Sequence, residues 1–361
     1  MQISSEIKGG RWMEAIMVTS LISVQLSLAF YTVFISRFLA GGLQPLFLVA
    51  TSSLLSAFLL LPLAILFERK NWPEKIGLYL TIRFALIAVG GTPLYQVLLL
   101  LGVKKTTPAV ATAMPNLAPG LIFFIASCLR IEKFDIKCKH TRYKVMGTLM
   151  CFSGAMAMSF MQADSVNLPA ESPNLRSILF MGANLSSTDA TSNDWIVGCL
   201  YLLAAVVVLS CVMILQATTM ADFPAPISLG AISGILGSFF SVIFQYILQG
   251  NISTGADSLG ITSIIAAVLA GGSVSFLTAT IVTMCVHKKG PVFVSAFNPT
   301  QTVCAAVLSA VILKQFISLG SLIGMTFLFA GLYIFLLAKM KEADMEEVTK
   351  VIPDEERALL F

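Results

Sequence analysis

Charge is scarce in this chain: Asp, Glu, Lys and Arg make up 12% of its 361 residues, where an ordinary soluble domain carries about 25%. A soluble globular protein is thereby excluded. Histidine is rarer still, with only His140 and His287, both in short polar segments, so a His-ligated di-iron or haem enzyme of the membrane has no ligands. The seven cysteines show no paired spacing, which removes a disulfide framework and a zinc site. The net charge of +4 is small and dispersed and does not suggest nucleic acid. No cofactor is expected. What remains is apolar: 57% of residues are hydrophobic and the mean hydropathy is +0.88. A helix needs ~20 apolar residues to cross the hydrocarbon layer, so the composition has room for roughly ten crossings of a lipid bilayer.

Apolar runs bounded by polar breaks predict spans over 13–34, 45–67, 78–101, 108–129, 145–161, 195–217, 226–248, 261–286, 291–313 and 317–338. The fold class is therefore an all-α membrane protein of ten transmembrane helices. An even number puts both termini on one face, and seventeen Lys and Arg fall on that face against five on the other, Arg83 set aside. The excess of basic residues assigns the termini to the cytosol. The sequons at Asn184 and Asn251 then lie outside and are candidate glycosylation sites. Residues 162–194 are rich in Ser, Asn and Pro without periodicity and read as an extracytosolic linker. Five spans precede it (1–161) and five follow (195–338), with an acidic cytosolic tail over 339–361.

The two halves resemble each other. The fourth span begins Lys105-Thr-Thr-Pro108-Ala-Val-Ala-Thr112-Ala113-Met-Pro115-Asn116, and the ninth begins Lys288-Lys-Gly-Pro291-Val-Phe-Val-Ser295-Ala296-Phe-Asn298-Pro299. Gly147 and Gly154 in the fifth span share their spacing with Gly324 and Gly331 in the tenth. A repeat with an odd number of spans re-enters the membrane in the opposite sense, and inverted repeats are a common build of secondary transporters. Pro115, Pro119 and Pro299 are helix breaks, since proline removes a backbone donor and frees a carbonyl. By the helical rise, Asn116 lies about 12 Å from the outer start of its span and Asn298 about 10 Å from the inner start of its own. The two breaks straddle the midplane.

Polar side chains inside the spans are the candidate substrate contacts: Asn116, Asn298, Gln25, Tyr95, Gln96 and Gln301. Gln25 lies near the bilayer centre, where its amide contacts either substrate or a neighbouring helix. Arg83 either reaches the headgroups or attracts an anionic group of the substrate. Glu14 is interfacial. Glycine pairs such as Gly230/Gly234, Gly90/Gly91 and Gly271/Gly272 let helix backbones approach closely. No span carries a nucleophile with a base and an orienting group, so an enzyme is not expected.

Several stretches resemble the plant Walls-Are-Thin-related, nodulin-like branch of the EamA drug/metabolite transporters, whose amino acid exporters form the UMAMIT group. The most specific are Thr107-Pro-Ala-Val-Ala-Thr-Ala-Met-Pro-Asn116-Leu-Ala-Pro119, Leu129-Arg-Ile-Glu132, Gly147-Thr-Leu, Lys288-Lys-Gly-Pro-Val-Phe-Val294 and Gly320-Ser-Leu-Ile-Gly324. The resemblance implies two inverted five-helix EamA repeats that move amino acids, or in some members auxin-like organic acids, across plasma or vacuolar membranes. Many members carry a glutamate near the centre of the first span; this chain has Ser23-Val-Gln25-Leu-Ser27. The expectation is a secondary transporter of small organic solutes, most of all amino acids, working by alternating access and facilitated or bidirectional. The alternatives are an auxin-like acid or other metabolite exporter, a nucleotide-sugar or phosphate transporter, and, in a different class, a membrane receptor.

The chain ends Glu355-Glu-Arg-Ala-Leu359-Leu360-Phe361. Glu355 with Leu359 and Leu360 reads either as a signal for a cytosolic sorting adaptor or as an ordinary terminus. The plasma membrane is the expected location, the vacuolar membrane the alternative. Oligomeric state is not encoded in any motif.

Overall fold

The long apolar runs form helices because in hydrocarbon every backbone polar group must be satisfied within its own segment. The structure is a computed structural model, and it describes residues 2–72, 77–105, 114–129, 139–164, 192–250, 254–255, 260–313 and 319–351. Its helices are α1 (Gln2–Ala40), α2 (Pro45–Glu68), α3 (Leu78–Val89), α4 (Tyr95–Lys105), α5 (Ala118–Cys128), α6 (Lys139–Asp164), α7 (Ser192–Asp222), α8 (Pro226–Gln249), α9 (Ile261–Lys289), α10 (Pro291–Ser295), α11 (Asn298–Leu313) and α12 (Leu319–Val351). No strand occurs among the described residues. Seven stretches of these are long and apolar enough to cross a membrane, and Met114–Cys128 and Leu322–Phe335 are shorter apolar helices.

Three predicted spans are not simple rods. The third is α3 and α4 joined through a π-turn at Gly90–Leu94 that contains Pro93. Proline there leaves a carbonyl without its usual donor, and the wider turn absorbs the mismatch. The ninth is broken between α10 and α11. The tenth is extended, since the helix runs through the first part of the expected polar tail to Val351.

Helix contacts obey a swap between the halves. Let α1 correspond to α7, α2 to α8, α3/α4 to α9, α5 to α10/α11 and α6 to α12. The pairs α2–α8 and α6–α12 then map onto themselves, α1–α9 maps onto α7–α4, α1–α11 onto α7–α5, and α2–α9 onto α8–α3, and each pair is in contact. The self-paired helices run antiparallel. The last residue of α2, Glu68, meets the start of α8, and the last residue of α8, Gln249, meets Gln44 just before α2.

Glycine makes the α6–α12 crossing. A Cβ on Gly147 would lie 2.7 Å from the Gly331 carbonyl oxygen, and one on Gly154 would lie 2.7 Å from that of Gly324. The four glycines whose spacing repeats between the halves therefore meet each other, and the two contacts exchange under the swap. In lipid no hydrophobic force drives helix association, so such close backbone approach and its dispersion energy hold the pair. Gly234 likewise sits against Ala57 and the Ser53 carbonyl, and Gly90 and Gly91 against Val212.

Candidate functional site

Many hydroxyl side chains in the spans are satisfied locally, though Thr278 and Thr300 are buried without a partner. Thr19, Ser23 and Ser27 on α1 each donate to the carbonyl four residues back, as do Ser210 on α7 and Thr280 on α9. This closes their hydrogen-bonding need inside one helix. A longer amide side chain with two donors and an acceptor needs other helices, ligand or water. The buried amides thus mark where the helices converge on polar chemistry.

Three of the expected residues are brought together. Gln25, buried in the middle part of the apolar stretch Trp12–Ile35, donates from Nε2 to Asn298 Oδ1 at 3.4 Å. Thr302 Oγ1 donates to Asn116 Oδ1, also at 3.4 Å. Asn298 and Thr302 are one turn apart on α11, so one helix face links Gln25 of α1 to Asn116 at the entry of α5. Asn116 is 3% exposed and Gln25 also 3%, so both are shielded from lipid. The contacts are long for amide hydrogen bonds. Gln25 Oε1 is buried with no hydrogen-bond partner. An orphaned acceptor at this depth costs about 1–3 kcal/mol, a deficit that a donor from a bound solute would remove.

The prolines shape the cluster. Pro115 lies in a 3-10 turn over Met114–Leu117, Pro119 stands in the first turn of α5, and Pro299 in the first turn of α11. Pro119 and Pro299 thus start a helix, where the missing N–H has no intrahelical partner to lose, rather than interrupting one from within. Between α10 and α11 the chain turns through Ala296 and Phe297, and Ser295 Oγ donates to the Val292 carbonyl at 3.0 Å. Thr112 and the carbonyl of Ala111 lie outside the described residues.

Other expected residues lie elsewhere. Gln96 is buried and Tyr95 half-buried at the start of α4, directly after the π-turn. Gln301 is half-buried on α11, next to Thr302. Arg83 is not at the cluster: its Nη1 binds Asp222 Oδ2 at 2.7 Å and the Thr218 carbonyl at 3.4 Å, and its guanidinium lies over the Tyr79 ring at 4.2 Å. Its Nη2 also donates to the Tyr79 hydroxyl. Glu14 pairs with Lys289. Asn184, Asn251, Glu355, Leu359 and Leu360 lie outside the described residues.

Three residues were not singled out from the sequence. Thr302 was findable, being four residues after Asn298 on the same helix face. Glu68 ends α2 and is 6% exposed; it accepts from the N–H groups of Ile227 (2.9 Å) and Ser228 (2.7 Å) and from the Ser228 hydroxyl (2.8 Å). It caps a helix that begins 158 positions later in the chain, at Pro226. Lys144, near the start of α6, is fully buried, with its ammonium 5.6 Å from the Phe123 ring centre.

Comparison with known proteins places this arrangement. Residues 15–160 match the EamA-like transporter family. One WAT1-related protein of Arabidopsis thaliana is 39% identical over 92% of this chain and 88% of its own length. Another from the same plant is 37% identical over 96% and 94%, and the protein WALLS ARE THIN 1 is 27% identical over 92% and 85%. A crystal structure with 15% identity superposes with a TM-score of 0.65, covering 91% of this chain and 98% of the other. At that identity the likeness concerns the fold.

Proposed function

The chain belongs to the plant WAT1-related branch of the EamA transporters, membrane carriers of the drug/metabolite superfamily, and we propose that its cargo is a small neutral or zwitterionic organic solute, an amino acid above all. The observation that carries this reading is the buried, uncharged cluster of Gln25, Asn298, Thr302 and Asn116 with its unpartnered Gln25 Oε1. An ammonium or amide N–H is the donor that such an acceptor takes. The cluster joins α1 and α5 of the first half to α11 of the second, so occupancy is coupled to how the halves sit against each other, and transport proceeds by alternating access between them.

A polyanion is the wrong guest for these side chains. Amides and a hydroxyl carry no countercharge, and Arg83 is already engaged by Asp222. Sugar nucleotides and phosphates are therefore disfavoured, and an auxin-like acid fits less well than a zwitterion. A carboxylate deep in a span would serve proton coupling; Glu68 instead holds a helix N-terminus, and position 25 carries an amide. Movement is accordingly facilitated and bidirectional.

The test is flux into liposomes carrying the purified protein, with labelled amino acids and labelled auxin offered with and without a pH gradient. Saturable uptake of an amino acid that survives collapse of the gradient is the expected result. Uptake of auxin alone would overturn the substrate assignment, and no flux of either class would overturn the transport reading for these solutes.

A further inference from the structure

Among the described residues, charged groups join the two halves on the face that carries the termini, and amide and backbone contacts join them on the other. On the terminal face Arg83 of α3 pairs with Asp222 of α7, Glu14 of α1 pairs with Lys289 of α9, and Glu68 of α2 binds the first turn of α8. Each of these contacts runs from the first half to the second. Trp72 adds a hydrogen bond from Nε1 to Ser228 Oγ at 2.8 Å, on the same serine that Glu68 holds. On the opposite face the Gln249 amide donates to Gln44 Oε1 at 2.9 Å, and the Gln44 N–H donates to the Thr254 carbonyl at 2.9 Å. There Gly42 and Gly255, both at positive φ, bring their backbones together, since a Cβ on Gly255 would lie 2.6 Å from the Gly42 oxygen.

The asymmetry is clearest at one pair of equivalent positions. Both α2 and α8 are 24 residues long and begin on proline, Pro45 and Pro226. Their last residues, Glu68 and Gln249, are therefore counterparts. Each reaches the starting end of the other helix, one with a carboxylate and one with an amide. A carboxylate at a helix N-terminus gains from charge-assisted hydrogen bonds and the helix dipole, and an amide beside a loop does not.

We propose that Glu68, the Arg83–Asp222 pair and the Glu14–Lys289 pair form an ionic latch that closes the terminal face, and that breaking it tips the resting equilibrium toward opening on that side. The proposal rests on the alternating-access reading. For the halves to part on the terminal face all three contacts must break, whereas the contacts described above on the other face are neutral.

Cys285 is a native reporter. It lies on α9 one turn before Lys289, buried with Met17, Leu21, Val286 and Phe293, and opening at the Glu14–Lys289 seam uncovers it. In the full-length chain with the other six cysteines changed to Ser, labelling by a membrane-impermeant maleimide is followed from the terminal face of sealed vesicles. Asp222→Asn is expected to raise the labelling rate by up to about fivefold, the range over which partly exposed ion pairs act; Glu68→Gln, which replaces the carboxylate at the α8 N-terminus by an amide, is expected to raise it by up to about fivefold as well, and the two together to raise it further. Exchanging the charges, Arg83→Asp with Asp222→Arg, is expected to return the rate to that of the parent. Gln44→Ala with Gln249→Ala should not raise it. Lys289→Gln supplies a second break should one of the others fail to insert. Unchanged labelling in every latch variant overturns the proposal, as does an equal rise in the Gln44/Gln249 variant, which would signal general loosening. The assay needs no substrate, so its failure is distinguishable from a failed liposome uptake.

Discussion

A side chain in hydrocarbon is judged by whether its hydrogen bonds can be met within its own helix. Thr19, Ser23 and Ser27 meet theirs by bonding back one turn, whereas Gln25, Asn116 and Asn298 make contacts across helices. Asn116→Ala, Asn298→Ala and Gln25→Leu are each expected to cut transport about tenfold, the equivalent of one to two lost hydrogen bonds, with membrane abundance unchanged by immunoblot. Full transport in all three would remove the cluster from the pathway. Glu68 is judged by stability instead. Glu68→Ala leaves two buried N–H groups and a hydroxyl of α8 uncapped and should lower unfolding stability by about 1–3 kcal/mol, read as a lower melting temperature in detergent. The three amides could be named from the sequence because polar residues stand out in apolar runs. Glu68 could not, because its partners are mainly backbone N–H groups, which have no sequence signal, and because it closes a run whose end looks like any membrane interface.

At the scale of elements, glycine separates two kinds of helix crossing. A methyl group on Gly147 meets the backbone of α12 at 2.7–2.8 Å, and neither helix can yield without its partner. Gly147→Ala should therefore destabilise by ~1–3 kcal/mol, as overpacking does. A methyl on Gly230 meets Leu60 at 3.5 Å and Ala279 at 3.7 Å, ordinary contact, so Gly230→Ala should leave stability unchanged or slightly raised. Thermal unfolding of the two variants side by side checks the contrast. The seven-residue glycine spacing in the fifth and tenth spans was visible as a repeat. That these glycines meet one another, Gly147 with Gly331 and Gly154 with Gly324, is a consequence of the antiparallel crossing. The π-turn at Gly90–Leu94 was not legible, since Gly-Gly-Thr-Pro in an apolar run is equally compatible with a kink or a broken helix.

For the whole molecule the sidedness of charge is the governing feature. Seventeen basic residues against five predict that tags at either terminus are reached by protease only from the cytosol. Protection of either tag in sealed right-side-out vesicles, and its loss on permeabilisation, checks this. The same asymmetry recurs inside the protein, where the contacts joining the halves carry charge on the terminal face.

Composition and hydropathy alone determined that this chain is a helical membrane protein, because burial in lipid writes itself into every residue of a span. The tertiary structure decided what sequence separation hides. It joined Gln25 to Asn298, gave Arg83 to Asp222 rather than to the polar cluster, and placed Glu68 on α8. These outcomes depend on which helix packs against which, and hydropathy, which records only how apolar each segment is, does not distinguish one neighbouring helix from another.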